Sequence, residues 1–310
     1  MTKVFGPKSK GVLESALVLA LGLMASTVQA LPTINLTNAV YNGVASSTQG
    51  TITNGYGSVL FARDNTQPAG TGVFNPFLRL DVAGNNKDEQ GYNTSASNVL
   101  DNKSPVNWTH DVLISSLQLD STGQYYQFTL DINEPGNAKS LLSLDGLRLY
   151  STSTPSQSAQ KVTPATGDLA ESPVVGGFVG TKLWDLDSGV DRSVLLDATV
   201  AGGPGSGIAD MVMLVSKAVI DSHKGAGENY LVLWSRFGLE QEANTGVTAA
   251  DAGFEEWAYS KSAGGGGSSG GGSGGASGAI TSPGSSALSV LGLALLGFTF
   301  RARRQAQSTA

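Results

Sequence analysis

Three aspartates in the second half of the chain have the spacing of a cation-binding turn. The stretch WDLDSGVDR reads D-x-D-x-G-x-D, formed by Asp185, Asp187, Gly189 and Asp191. Calcium prefers hard oxygen ligands, and glycine permits the tight turn that gathers alternate side chains. The twelfth position is Leu196, where an EF-hand requires glutamate, so we expect an irregular calcium site. The alternative is a polar turn capped by its aspartates, with Arg192 neutralising one of them.

Two further acidic stretches offer carboxylates. LDINEPG supplies Asp131, Asn133 and Glu134 as a second candidate calcium site, although Glu-Pro-Gly is also an ordinary hairpin turn. FEEWAY contains Glu255 and Glu256. A glycosidase needs two converging carboxyl groups, but neighbours on one strand point to opposite faces. These two glutamates therefore cannot pair with each other, and we expect a solvated strand end.

The composition excludes several chemistries. The chain has no cysteine, which rules out disulfides and thiolate catalysis, and its two histidines make a multi-histidine metal site unexpected. No Gly-x-Ser-x-Gly elbow or phosphate-binding loop is present. We therefore predict no catalytic residue and no cofactor apart from calcium. The net charge is −6, and basic residues concentrate at both ends, so the acidic middle is not expected to bind nucleic acid.

Four tryptophans and eight tyrosines could provide flat surfaces for stacking on sugars. Trp184 and Trp257 stand beside acidic residues, which makes them the candidate ligand-binding positions. Trp234 lies in a strand that is predicted to be buried, and Trp108 is the fourth tryptophan. Packing in the core is the alternative for most of these rings.

Residues 31–263 form the predicted body, and their pattern is all-β. QYYQFTLDIN alternates, with one apolar face made of Tyr126, Phe128, Leu130 and Ile132. NYLVLWSRFG is apolar at successive positions, which predicts a strand buried on both sides. Many short strands between Gly/Pro turns indicate a β-sandwich or jelly roll. We interpret the polar break at Lys161–Val175 as a long surface loop, although it could also divide two domains.

The first 30 residues have the layout of a signal peptide. Lysines precede an apolar run from Val12 to Ala25, and VQA then supplies small residues for cleavage after Ala30. A retained membrane helix is the alternative, but spanning takes about 20 apolar residues. The partners expected here are the Sec export machinery and signal peptidase.

The C-terminal end looks like a tether followed by a short anchor. Residues 264–281 are a linker, and its Gly/Ser-rich part predicts a flexible coil. A 14-residue apolar segment at 287–300 is predicted as a short transmembrane helix, and three arginines follow it, Arg301, Arg303 and Arg304. Positive charge stays on the cytoplasmic side, so the body would face outward.

The last two dozen residues, SPGSSALSVLGLALLGFTFRARR, resemble the bacterial PEP-CTERM sorting signal that exosortase handles. The resemblance covers the apolar segment and the arginine cluster. It departs at Pro283, Gly284 and Ser285, where that family has Pro-Glu-Pro. The GlyGly-CTERM signal handled by rhombosortase is the alternative, although ITSPGSSA separates the glycines from the helix here. Scattered strings of the body, including EQGYNT, LDINE and AGFEEWAY, also resemble the exported domains of PEP-CTERM proteins.

These features predict an exported protein without enzymatic activity. It would be held transiently in the membrane and then reside at the cell surface or in the extracellular matrix, where exopolysaccharide is an expected partner. One alternative is a secreted carbohydrate-binding module. Another is a secreted hydrolase of the glycosidase type, which would need two carboxyl groups that converge in a cleft.

Overall fold

The structure is a computed structural model, and the fold described here comes from the body of the chain. It describes residues 1, 33–41, 43–64, 75–82, 88–103, 107–136, 139–159, 178–200, 209–238, 248–251 and 253–259. Two β-sheets make up most of this part, which confirms the all-β prediction. The predicted signal peptide, the loop at 161–175, the linker and the sorting segment lie outside the described residues.

Strands are numbered here in chain order. Seven of them form the first sheet: β1 (Ile34–Asn35), β5 (Glu89–Tyr92), β6 (Val112–Leu113), β8 (Leu141–Thr152), β9 (Thr181–Asp185), β10 (Val194–Asp197) and β12 (Tyr230–Phe237). The order along the sheet is β1-β10-β8-β12-β5, with β9 also paired to β8 and β6 to β12. Only the β1–β10 pairing is parallel among these described strands.

Six strands form the second sheet: β2 (Gln49–Asn54), β3 (Gly57–Arg63), β4 (Leu78–Leu80), β7 (Tyr125–Asp131), β11 (Met211–Ser216) and β13 (Glu255–Tyr259). They are antiparallel in the order β2-β3-β11-β7-β13-β4. A short 3-10 helix, Ile114–Ser116, and one α-helix, α1 (Lys217–His223), accompany the strands. Among the described residues, no helix has the length and apolar character needed to cross a bilayer.

One core lies between the sheets and is built from alternate residues of their strands. On β7 the inward residues Phe128 and Leu130 are fully buried, as the alternation of QYYQFTLDIN predicts. On β10, Val194 and Leu196 fill the same core from the other sheet. Burial of apolar area on this scale, at roughly 25 cal/mol per Å², is the main term that holds two sheets together.

The long strand β12 is buried on both faces, which confirms that prediction. Leu231 and Leu233 point into the shared core, whereas Val232 and Trp234 belong to a separate apolar cluster on the opposite face. Tyr92 and Tyr150 complete that outer cluster with Phe178 packed against it. The first sheet therefore has a covered outer face, which explains the unbroken apolar run in the sequence.

Candidate functional site

The structure does not gather the three aspartates of the predicted calcium turn around one point. Asp185 ends β9 and is buried, whereas Asp191 is exposed at the far end of the turn. Asp185 instead forms ion pairs with Arg148 at 3.1 Å and Lys182 at 2.8 Å. Among the residues that the structure describes, no three acidic or histidine side chains are placed to hold a metal ion.

A guanidinium occupies the inside of this turn. Arg192 donates through Nη1 to the carbonyl oxygens of Leu186 at 3.0 Å, Ser188 at 3.0 Å and Val190 at 3.2 Å. Its backbone N–H donates to Asp187 Oδ1 at 3.1 Å. Charge-assisted hydrogen bonds of this kind are stronger than neutral ones. The turn therefore already contains a cation from its own chain at the centre of its carbonyl oxygens.

The surroundings of Asp187 change its protonation. Burial raises its pKa to about 7, although the hydrogen bond from the Arg192 backbone opposes that rise. The charges of Asp185 and Asp191 raise the pKa further. A carboxyl group with this pKa is partly protonated near neutrality, which weakens it as a calcium ligand.

The prediction that Trp184 and Trp257 offer surfaces for sugar stacking is wrong. Both side chains are fully buried in the shared core. Trp184 Nε1 donates to the carbonyl oxygen of Gly57 at 3.3 Å, and Trp257 Nε1 donates to Ser235 Oγ at 3.1 Å. Each ring thus fills the space between the sheets and satisfies its one polar atom there.

Two glutamates face each other across the same core. On β13, Glu255 pairs with Leu80 of β4, and on β5, Glu89 pairs with Phe237 of β12. Leu80 and Phe237 are core residues, and directly paired residues share a face, so both glutamates point inward. Each is 1% exposed. The expectation of a solvated strand end at Glu255 is therefore wrong.

The hydrogen bond from Trp257 to Ser235 joins the two sheets close to the two glutamates. Ser235 pairs with Gly91 on β5, which is two residues from Glu89, and Trp257 is two residues from Glu255. A step of two residues keeps a side chain on the same face. Glu255 is therefore the next residue on the same face as Trp257 in the second sheet. Glu89 is the next residue on the same face as Gly91, the partner of Ser235, in the first sheet. The two carboxyl groups are close enough for a hydrogen bond between them when one of them is protonated.

The surroundings of the pair favour protonation. Burial raises the pKa of Glu255 well above its usual value, and the charge of Glu89 and the hydrogen bond to it raise it further. Burial also raises the pKa of Glu89, while its hydrogen bonds with Glu255 and with the Val82 N–H lower it. Glu134 adds a third negative charge near Glu255. Burial and these negative charges thus favour the protonated form of Glu255 in particular.

Glu134 itself has a structural role in holding a loop. It is buried, and both of its carboxylate oxygens accept the backbone N–H of Asp251, at 3.1 and 3.2 Å. Asp251 in turn pairs with Lys139 at 2.8 Å. The candidate calcium ligands of LDINEPG are therefore engaged at least partly in connecting this loop to the segment before β13.

Another buried acid, Asp210, lies directly before β11. Asp210 Oδ2 accepts the backbone N–H of Ile132 at 2.8 Å. Burial raises the pKa of Asp210 to about 8, and the charges of Asp131, Asp197 and Asp64 contribute to the increase. A protonated Asp210 still accepts the Ile132 N–H through its other oxygen lone pairs.

The outer face of β13 carries a stacked group around Arg79. Its guanidinium lies 3.8 Å from the ring centroid of Trp108 and 3.7 Å from that of Phe254. Arg79 Nη2 also forms an ion pair with Glu256 at 2.5 Å. Trp108 is 37% exposed, unlike Trp184, Trp234 and Trp257. It is thus the tryptophan whose ring reaches the surface.

No protein-family model, curated protein or solved structure matches this chain. The site therefore has to be judged from its own geometry. The predicted sorting residues Pro283, Gly284, Ser285, Arg301, Arg303 and Arg304, and the predicted cleavage position Ala30, lie outside the described residues.

Sequence reasoning missed the pairing of Glu89 with Glu255 because these residues are far apart in the chain. One signal was available within FEEWAY. Glu255 and Trp257 are two residues apart and must share a face, so burial of Trp257 implies burial of Glu255. Nothing local in EQGYNT identifies Glu89 as the partner.

Proposed function

We propose that this chain is an exported bacterial protein whose β-sandwich body, jelly-roll-like in character, is displayed outside the cell. A short C-terminal helix would anchor it until a sorting enzyme of the exosortase type acts. The observation that carries this proposal is the order of segments at the end of the chain: a Gly/Ser tether, 14 apolar residues and three arginines.

The extent of the folded body supports the proposal. Among the described residues, the strands run from Ile34, just after the predicted cleavage at Ala30, to Tyr259, before the tether. The described strands therefore lie between the two predicted terminal segments. The role proposed for the body is structural or adhesive, in the envelope or matrix.

The buried glutamate pair does not favour the hydrolase alternative. A glycosidase also uses two carboxyl groups, but they flank a bond of a bound sugar. Glu89 and Glu255 are each 1% exposed and are enclosed between two sheets. A polysaccharide has no access to a pair in that position, so the two groups fit a role in stability better than one in catalysis.

Cell fractionation tests the proposal. The full chain and a form that stops after Ser286 are produced in a bacterium that has an exosortase. We expect the full chain in the envelope fraction, with loss of its end after processing, and the truncated form in the medium. A variant with Arg301, Arg303 and Arg304 all replaced by serine is the matched control, because it retains the apolar run. Retention of the truncated form as complete as that of the full chain contradicts the proposal.

A further comparison separates the two sorting systems. Replacement of Pro283 by alanine should block processing by an exosortase, whereas removal of residues 264–278 should block processing by a rhombosortase. Mass spectrometry of the mature C-terminus reads out both variants. Intact processing of the Pro283→Ala form, together with loss of processing in the deletion, would favour the GlyGly-CTERM alternative.

Carbohydrate binding is the second candidate function, and the exposure of Trp108 is the observation that favours it. Its indole is fixed in place by Arg79, which Glu256 and Phe254 hold in turn. Aromatic rings with an apolar face and polar neighbours suit the stacking of sugars. Exopolysaccharide from the producing cell should bind the protein and protect Trp108 from iodide quenching. Trp108→Ala should abolish binding, with Leu113→Ala, another exposed apolar position, as the control.

A further inference from the structure

Each glutamate of the pair has a buried carboxyl oxygen that is left without a hydrogen bond when both groups are ionised. Glu89 Oε1 and Glu255 Oε1 are buried, and neither receives a hydrogen bond from a donor in the described part of the chain. An ionised carboxylate accepts hydrogen bonds only, whereas a protonated one also donates. One proton between the two groups turns two unsatisfied acceptors into a donor and an acceptor.

The charged groups that act most strongly on the pair from neighbouring elements are acidic. Glu134 approaches from the segment after β7, Asp81 from the end of β4, and Asp101 from the segment after β5. Asp101 has Asp88 and Arg236 beside it, and those two form an ion pair with each other. The second carboxylate charge of the pair would thus be buried among negative charges.

We propose that Glu89 and Glu255 share one proton in the folded protein and that this protonated pair is a pH-dependent lock between the two sheets. In this pair Glu255 donates a hydrogen bond to Glu89. Glu255 lies two residues from Trp257 along β13, so the pair is next to the hydrogen bond between Trp257 and Ser235. Loss of the proton places two negative charges against each other in the core and separates the sheets at this end. This inference does not depend on the sorting function.

The direction of the pH effect follows from linkage. A carboxyl group whose pKa is raised by folding stabilises the protein fully below the pKa of the unfolded chain, near 4.3. Above that pH the unfolded chain loses its proton first, so stability declines until the pH passes the folded value. The lock is therefore strongest in mild acid and weakens toward alkaline pH.

Carbon NMR of the full chain, labelled at the side-chain carboxyl of glutamate and purified in detergent, tests the lock directly. The label leaves out the aspartates, so Asp187 and Asp210 do not contribute. We expect one glutamate signal that titrates well above pH 4.5 and disappears in Glu255→Gln. In Glu89→Gln the same signal should titrate at lower pH, because the amide donates to Glu255. If every glutamate titrates near its ordinary pH, the proposal is wrong.

Melting temperatures provide the second measurement. At pH 8, Glu255→Gln should melt at least about 2–4 °C above the wild type, since the neutral amide replaces a group that is losing its proton. At pH 5 this gain should vanish. Asp221→Asn, exposed on α1 and paired with Lys217, is the control and should not show a gain that grows from pH 5 to pH 8. A rise in wild-type melting temperature with calcium at pH 8, absent in Glu255→Gln, would assign a metal ion to the pair and overturn the shared proton.

Discussion

Two acidic regions of this protein handle buried negative charge in different ways. In the turn between β9 and β10, every strong contact of the carboxylates and carbonyl oxygens is with a cation or an N–H group: Arg148 and Lys182 bind Asp185, and Arg192 fills the turn. Between the sheets, Glu89 faces another glutamate. In the first region, cationic side chains compensate the negative charge of the carboxylates. In the second region, a proton neutralises one of the two carboxylates.

The difference follows from where the residues lie in the chain. The acids of the turn and Arg192 are sequence neighbours, so a cation was always within reach. Glu89 and Glu255 come from separate sheets and meet in a core otherwise built of Leu80, Phe237 and Trp257. A lysine or arginine at that position would have had to bury a long charged side chain, which carries a large desolvation cost.

The largest effect is expected when the ion pair between Arg148 and Asp185 is removed. Arg148 and Asp185 are 8% and 1% exposed at their side chains, so their pair is nearly dry. Arg148→Met keeps the apolar stem and leaves Asp185 with Lys182 alone. We expect a loss of about 3 kcal/mol in the free energy of unfolding, because removing one partner leaves a buried charge poorly compensated.

Urea unfolding at pH 7 measures this loss. Lys182→Met is the matched control and should cost less, since Lys182 is 18% exposed and Arg148 remains in place. Adding Asp185→Asn to Arg148→Met should restore part of the stability. An Arg148→Met form as stable as the wild type would show that the charge balance of this region contributes little.

The next effect concerns a buried acid outside both regions. Burial raises the pKa of Asp210 from 3.8 to about 8, so the folded chain holds a proton there that the unfolded chain releases above pH 4. Its contribution is therefore complete in acid and is lost as the pH rises toward 8. We expect the free energy of unfolding to fall by a few kcal/mol between pH 5 and pH 9.

Asp210→Asn should reduce that pH dependence, because asparagine still accepts the Ile132 N–H but has no proton to lose. Asp221→Asn on α1, exposed and paired with Lys217, is the control. Thermal melting across this pH range separates the two variants. Stability that rises from pH 5 to pH 9 in the wild type would contradict the protonated state of Asp210.

The strands that the sequence predicted well are those with an unambiguous period. β12 is apolar throughout and is buried on both faces, as that pattern predicts. β7 alternates in polarity, and its apolar residues Phe128 and Leu130 lie in the shared core as expected, but Gln127 and Thr129 on its other face are buried as well. An acidic neighbour does not show that Trp184 or Trp257 is exposed. In a strand, the neighbour only shows what lies on the opposite face, and here Asp185 and Glu256 are themselves buried in ion pairs.

The candidate site was harder to predict than the fold because its parts come from different sheets. Alternation gives the face of Glu255, but the register of β5 against β12 is needed to show that Glu89 faces the same core, and the packing of the two sheets is needed to bring the two residues together. The aspartate motif was visible in the sequence, yet its spacing could not distinguish a bound calcium ion from a guanidinium of the same chain. Arg192 follows Asp191 directly, and only the turn geometry shows that it reaches back to three carbonyl oxygens.

The smallest effect is expected for Arg192, and it tests whether a calcium ion or the Arg192 guanidinium occupies the turn. Arg192→Met removes the guanidinium but keeps the backbone N–H that donates to Asp187. We expect a loss of about 1–2 kcal/mol, since charged hydrogen bonds contribute on the order of 1.5–3 kcal/mol and this turn is partly solvated. A chelator should leave the wild-type melting temperature unchanged, because the turn has its own cation. A melting temperature that drops on chelation in the wild type, and not in a form with Asp187→Asn, would instead place calcium in this turn and remove Arg192 from its centre.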